Sequence, residues 1–395
     1  MGPAARHAAL VAALREGEAG SPAVLDAFAR VPRHPFLPGV ELERVYRDDA
    51  VVTRTEAGEP TSSSSQPSLM ARMLTQLEVR PGDRVLEIGT GTGWNAALLA
   101  AMGAEVTSMD LQPEVAEAAR ACLAQAAPGP GSVEVVAGDG AAAPPGPYDG
   151  VIVTAACWEL PARLLDGLAE DGVLVAPLRF TPVEACVALR RSGGELHGRG
   201  AIPCGFMPLR GGVGGPFRWE LGTGGLATAD ADLGTEGRGS LDRLLAAPGR
   251  EVADPLGLAD EERLRDALLW LGLQGDPLVG MLRGGTDRPR WSLALHVLPA
   301  SALVLHPSEG FDRVAAAELH GGEGALRACS TAVAAWRAAG TPGTRELELT
   351  VAPHAGRGGA SLPWPTPDGA TALIRGAHRW TVRYGSSRLS PQKDA

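Results

Sequence analysis

Basic side chains are in short supply: 36 Lys and Arg stand against 46 Asp and Glu among 395 residues, a formal net charge of −10. A protein that lives on phosphate contacts normally carries a basic face, because counterion release supplies most of its affinity. Nucleic acid is therefore not the expected partner. Cysteine is scarce too, with Cys122, Cys157, Cys186, Cys204 and Cys329 scattered along the chain. No two stand at zinc-ligand spacing, and an odd, dispersed set reads as small buried groups in a reducing compartment. His296, His306, His320, His354 and His378 show no paired spacing either, so no metal site is expected. Long apolar runs are missing, since nothing approaches the ~20 residues that span a bilayer. The short apolar stretch at 8–14 is closed by Arg15, Glu16 and Glu18 and reads as an amphipathic helix, not a signal segment. The expectation is a cytoplasmic protein without membrane contact.

What is plentiful is Gly (52) and Pro (32), in a chain whose 45% apolar content is that of a folded protein. At ~150 residues per domain the length predicts two or three domains. Between about residues 68 and 190, strands and helices alternate. Helices are expected at 69–77, 95–102, 113–125 and 161–169, and strands at 84–88, 105–109, 133–136, 150–154 and 172–177. Such alternation means parallel crossovers, hence a doubly wound α/β sheet. After Arg210 the alternation stops at Gly211, Gly212, Gly214 and Gly215, a run that reads as a linker. This predicts domains at 1–212 and 213–395. Six of the eight tryptophans lie beyond the break (Trp219, Trp270, Trp291, Trp336, Trp364, Trp380), so the second part is expected to fold. Helices at 260–271 and 326–339 and strands at 346–351 and 379–384 make it an α+β domain.

Chemistry concentrates where the strands end. Val85-Leu86-Glu87-Ile88-Gly89-Thr90-Gly91-Thr92-Gly93-Trp94 is a buried strand running through glycines into a helix, a turn that lets a ligand lie against bare backbone. The spacing is Gly-x-Gly-x-Gly, not the Gly-x-Gly-x-x-Gly that cradles a dinucleotide pyrophosphate. Asp110 ends the next strand, where an acidic side chain can hold ribose hydroxyls, and Gly138-Asp139-Gly140 follows the third, where a second can hold an adenine amino group.

Acidic and glycine positions at three consecutive strand ends resemble the S-adenosylmethionine site of class I methyltransferases. Further motifs narrow the resemblance: Val31-Pro32-Arg33-His34-Pro35-Phe36-Leu37-Pro38, then Tyr46 and Asp48, then Ser64-Ser65-Gln66-Pro67, then Tyr148-Asp149-Gly150-Val151-Ile152-Val153-Thr154-Ala155-Ala156, and a closing segment with Asp171-Gly172. In this order they are similar to the signatures of protein L-isoaspartate O-methyltransferases, over about residues 20–210. The resemblance implies S-adenosylmethionine as cofactor, held by Glu87, Gly89, Gly91, Asp110, Leu111, Asp139 and Gly140. It also implies that Ser65 matches the family's active-site serine, with Ser64 beside it as a second catalytic candidate. A substrate carboxylate is already ionised at neutral pH, so hydroxyls at Thr61, Ser64 and Ser65 suit orienting it without taking a proton. The competing reading of Ser65 is a helix N-cap ahead of Gln66-Pro67. Trp94 and Trp158 are read equally as pocket lining or core, and His34 as a local packing residue.

Three features depart from the family's pattern. Residues 51–62 are longer than its short glycine-containing turn, Cys157-Trp158 stands where Ala-Pro is common, and 213–395 has no counterpart in the compact repair enzymes. These resemble the branch that tailors ribosomally made peptides, including lanthipeptides and graspetides. That branch implies methylation of an ordinary Asp, leading through a succinimide to isoAsp, in place of repair of isoAsp in damaged proteins. An amino-methyltransferase of nucleic acids is expected to carry an Asn/Asp-Pro-Pro-Tyr motif where this chain has Thr154-Ala155-Ala156-Cys157. A degenerate binding scaffold is not expected to keep Gly89, Gly91, Asp110 and Asp139.

Overall fold

Proline opens the first two helices, α1 (Pro3–Glu16) and α2 (Pro22–Arg30), where its missing N–H is no loss. In α1, Leu10, Val11 and Leu14 form the buried stripe expected of 8–14. In this computed structural model the described residues are all of 1–395 except 57, 127–128, 213–214, 284–289, 298, 309–311, 355–358 and 385–395, and the side chains at 283, 290, 291, 296, 297 and 359 also lie outside the description. The chain forms two units interleaved in sequence. The first is Met1–Leu178, Cys186–Leu196 and Cys204–Val213, and the second is Arg179–Ala185, His197–Pro203 and Gly214–Ala395.

The first unit continues with α3 (Leu42–Val45), an antiparallel hairpin of β1 (Val51–Glu56) and β2 (Glu59–Ser64), and α4 (Pro67–Leu77). Then the alternation begins: β3 (Arg84–Ile88), α5 (Trp94–Ala101), β4 (Glu105–Asp110), α6 (Pro113–Ala126), β5 (Ser132–Ala137), β6 (Tyr148–Val153), α7 (Ala162–Asp166), β7 (Leu168–Phe180), β8 (Val183–Ser192) and β9 (Glu195–Pro203), of which the end of β7, the start of β8 and most of β9 count with the second unit. The strand order is β8-β7-β6-β3-β4-β5, and β7, β6, β3, β4 and β5 pair in parallel, which is the doubly wound class I methyltransferase arrangement. Central β3 is buried from Val85 to Ile88, as a strand covered on both faces must be. All eight residues of α5 are buried, so its sequence is Ala and Leu with almost no polar face.

Two segments differ from expectation. The helix expected at 161–169 is only five residues long, and β7 begins at Leu168 instead of 172. Asp171 adopts a φ of 63°, and the β6–β7 ladder shifts register between Tyr148↔Leu168 and Gly150↔Val173 to absorb it. The long segment at 51–62 is the β1–β2 hairpin.

The second unit is α+β, built on antiparallel strands. It holds β10 (Phe217–Glu220), β11 (Leu226–Ala229), α8 (Gly234–Ala246), β12 (Arg250–Val252), α9 (Glu261–Gly272), β13 (Leu278–Arg283), β14 (Arg290–Val297), β15 (Ser301–Pro307), β16 (Val314–Gly321) and α10 (Gly324–Ala338). After these come β17 (Leu347–Pro353), β18 (Gly359–Ala360), β19 (Trp364–Pro365), β20 (Thr371–Gly376) and β21 (His378–Tyr384). One sheet runs β10-β11-β13-β14-β15-β16-β12, and β18-β20-β21-β17 lie side by side. Leu241, Val279, Met281, Ala294, Ala302 and Val304 centre its core, and Trp336 and Trp380 are fully buried. The helices expected at 260–271 and 326–339 and the strands at 346–351 and 379–384 match α9, α10, β17 and β21 within a few residues. Trp291 and His296, named above, carry side chains outside the description. Among the described residues no helix is long and apolar enough to cross a membrane, and no group of His, Cys, Asp or Glu is arranged to hold a metal.

Candidate active site

Register brings the three strand ends together. Ile88 pairs with Met109 and Asp110 with Ala137, and the N–H groups of Gly89 (2.8 Å) and Thr90 (3.1 Å) both donate to Met109 O. Gly138 N–H donates to Asp110 O at 2.8 Å, which sets Asp139 on the same carboxyl-end edge. In parallel α/β sheets ligands bind at this edge.

The glycine turn has no room for side chains. Gly89 has φ +98°, and a Cβ there would lie 2.4 Å from Thr154 Oγ1; Gly91 has φ +53°, and a Cβ would lie 2.9 Å from Ser63 O. Bare backbone is thus required for close approach between the turn, β6 and the serine tract. Beneath the turn, Glu87 is fully buried. Its carboxylate accepts from Asn95 Nδ2 (2.7 Å) and Ser108 Oγ (2.5 Å), and Thr90 Oγ1 lies 2.7 Å from Ser108 Oγ. Burial pushes the Glu87 carboxyl up to about 7, against the pull of those two hydrogen bonds. Glu87 therefore supports the turn from inside the sheet.

Asp110 does face the edge. One of its oxygens accepts from Gly91 N–H (3.0 Å) and the other from Gln112 N–H (3.0 Å), leaving each oxygen a lone pair for a ligand. Burial raises its pKa, while those N–H groups and the cation of Arg210 pull it down. The neighbouring Leu111 is 39% exposed, an apolar surface at the mouth of the turn. Asp139 accepts from Ala141 N–H (2.8 Å) and Gly212 N–H (2.5 Å), with buried Gly140 beside it. A Cβ at Gly211 would meet the Asp139 carboxylate at 2.6 Å. Gly211 and Gly212, expected as linker, are thus packed on the site, and Gly214 lies outside the described residues.

Sequence reasoning missed Gln112. Its Nε2 donates to Thr61 O at 2.9 Å, while its Oε1 and the Thr61 hydroxyl are buried with no hydrogen-bond partner among the described residues. Arg210 Nη2 reaches the same Thr61 oxygen at 3.3 Å. Orphaned buried polar atoms are costly unless a ligand satisfies them. With Asp110, Asp139 and the bare glycine turn, they suit a nucleoside carrying a diol and an amino group, so these residues fit S-adenosylmethionine.

The serines of β2 end at Ser64, and Ser65 follows just outside the strand. Ser64 points inward: it is buried, and its hydroxyl accepts from Arg33 Nε at 3.2 Å. Ser65 is half-exposed, and its hydroxyl has no hydrogen-bond partner among the described residues. The helix-cap reading of Ser65 does not hold. Gln66 is the N-cap residue of α4, and Asp48 serves the helix start by accepting from Ser68 N–H (2.8 Å) and Gln66 Nε2 (3.1 Å). His34 Nδ1 meets Tyr46 Oη at 2.7 Å, a local bond. Trp94 is core: 2% exposed, bonded through Nε1 to Val31 O at 3.2 Å, and edge-on to Phe28. Cys157 and Trp158 are buried as well.

A family model described as protein-L-isoaspartate(D-aspartate) O-methyltransferase matches residues 5–214. A protein-L-isoaspartate O-methyltransferase of Methanoculleus marisnigri is 41% identical over 206 residues, covering 51% of this chain and 87% of the relative. One from Methanoregula boonei is 39% identical over 201 residues, covering 50% and 88%. A solved structure titled protein-L-isoaspartate O-methyltransferase shares the fold with a TM-score of 0.50 at 21% identity, covering 87% of this chain and 96% of its own. That likeness in fold is longer than the span of the family match and so runs into the second unit.

Proposed function

The chain belongs to the protein-L-isoaspartate(D-aspartate) O-methyltransferase family and is an S-adenosylmethionine-dependent carboxyl O-methyltransferase; we propose that it esterifies the free α-carboxylate of an L-isoaspartyl residue in a peptide or protein. The observation that carries this reading is the Ser65 hydroxyl, left without a partner one residue beyond a tract packed against the glycine turn. When bound, S-adenosylmethionine supplies a methyl on a sulfonium, whose bond to sulfur breaks as the bond to a carboxylate oxygen forms. The protein's own residues have a limited task. Asp110, Asp139, Gln112 and Leu111 hold the nucleoside at the strand edge. Ser65 donates to one carboxylate oxygen and keeps its proton, leaving the other oxygen free to react. A carboxylate with an ordinary pKa of ~4 needs no base at neutral pH. Alignment and exclusion of water therefore carry the acceleration.

The names of the relatives favour isoaspartate, and so does a fold likeness to a protein of that name that extends beyond the first unit. This reverses the order expected from the sequence, where the extra length argued for a peptide-tailoring role. The β1–β2 hairpin, ending one residue before Ser65, favours tailoring of an Asp in a ribosomally made peptide as the second reading. In either case the next backbone nitrogen can attack the ester to give a succinimide, because methoxide leaves more readily than oxide.

Mass spectrometry on matched linear isoAsp, linear Asp and constrained cyclic Asp peptides, each with S-adenosylmethionine, tests the proposal. One methyl gained on the isoAsp peptide alone is the expected result. Methylation confined to an Asp peptide would replace it with the tailoring reading.

A further inference from the structure

The Val31–Pro38 motif has entered the site so far only through single contacts to Ser64, Trp94 and Tyr46, yet its third residue is the most heavily bonded side chain near the serine tract. We propose that Arg33 is the positioning residue for Ser65: its guanidinium pins the backbone on which that hydroxyl is carried. Arg33 is 0% exposed. Nε donates to Ser64 Oγ (3.2 Å), Nη1 to Val45 O (3.0 Å) and Arg47 O (3.3 Å), and Nη2 to Asp49 O (3.1 Å), Ser64 O (3.1 Å) and Ser65 O (2.8 Å). Five N–H groups thus serve six oxygens on two stretches of chain, 45–49 and 64–65. The guanidinium also lies over the Trp94 ring, 5.1 Å from its centroid, and that ring opens the helix following the glycine turn. One planar group therefore ties the serine tract, the 45–49 loop and the helix behind the cofactor turn together.

The chemistry of this contact argues for positioning over mere filling. Arg33 ion-pairs with no carboxylate among the described residues, although Asp48 and Asp49 are near enough to favour its charged form. Burial draws its pKa down to about 10, so it remains cationic at neutral pH. A buried cation held by neutral oxygens, with no carboxylate bonded to it, is costly, and an apolar side chain would fill the same volume without that cost. What only a guanidinium provides is a rigid fork that fixes two successive carbonyls, Ser64 and Ser65, from one nitrogen. With those carbonyls held by Arg33, the half-exposed Ser65 hydroxyl is left without a partner among the described residues.

The kinetic arm of the test rests on the carboxyl-methyltransferase reading; a second arm does not. In R33K the cation is kept but the fork is lost. On the peptide that the unmodified enzyme methylates, kcat is expected to fall at least ~10-fold, with KM and the affinity for S-adenosylhomocysteine within ~3-fold. Full kcat with only a lower melting temperature would overturn the proposal. The independent arm is amide hydrogen exchange on the unmodified full chain. Amides of 64–66 are expected to exchange at least ~10-fold slower than those of Arg54, Glu56 and Glu59 in the hairpin. Equal rates would overturn the proposal without any variant having to fold. An unmodified chain that methylates no peptide counts against the function, while the exchange arm still decides on Arg33.

Discussion

Arg33 in the first unit and Arg375 in the second are buried alike, at 0% and 1% exposure, and both lie over aromatic rings, but their partners differ in kind. Arg33 gives its donors to backbone carbonyls and one hydroxyl around the serine tract. Arg375 pairs with the Asp230 carboxylate at 2.7 Å and donates to Arg179 O, between Phe180 and Trp380 at 5.0 and 5.1 Å. Thr181 completes that cluster by donating its N–H (2.8 Å) and hydroxyl (2.6 Å) to Asp230. A charge buried in a matched pair fastens strands. A charge buried on carbonyls fixes the shape of a loop, and here that loop carries Ser65.

The largest expected effect comes from breaking the pair. R375A leaves the Asp230 carboxylate without its cation and is expected to cost ~3–5 kcal/mol in urea unfolding, while S-adenosylhomocysteine affinity stays within ~2-fold. Loss of that affinity in step with stability would erase the contrast between the units. In the first unit, D110N removes a charged acceptor at the strand edge. Calorimetry should show cofactor affinity falling ~10–100-fold, since hydrogen bonds to charged groups are worth ~1.5–3 kcal/mol.

Glu87 sharpens the comparison through pH. Its folded pKa of about 7 lies above the unfolded value near 4.5, so the folded state binds more protons between these limits. Stability is then expected to fall as pH rises from about 4.5 to about 7, by on the order of 3 kcal/mol, and to level off above. E87Q should flatten the slope, and an unchanged slope would mean that Glu87 is ionised when folded. The smallest effect is expected of S64A. Losing the acceptor of Arg33 Nε should cost about 1 kcal/mol and leave kcat within ~3-fold, because both carbonyl bonds remain.

How much was legible follows from where each signal lies in the chain. The β3 and β4 strands and the glycine turn were readable because continuous apolar runs end in glycine or aspartate within a few residues. The β7 start was not, since it depends on the left-handed Asp171 and a slip against β6. In the second unit β15 is an apolar run whose length alone does not separate strand from helix, and β11 is only four residues long. Asp110 and Asp139 were visible as ends of consecutive strands. Gln112 and Arg33 were not, because their partners are backbone oxygens 51 residues away and 31 or 32 residues away, which no local pattern encodes. Ser64 and Ser65 stand side by side in sequence, and only the fold shows that one is buried against Arg33 while the other is partly exposed.

The account turns on one claim, that the edge carrying Ser65 orients a carboxylate for methylation. The most direct test compares unmodified and S65A full-length protein on the isoAsp peptide, with S-adenosylhomocysteine binding measured on both. The account predicts a ~10–100-fold loss of kcat/KM in S65A with cofactor affinity unchanged. Full activity in S65A would contradict it.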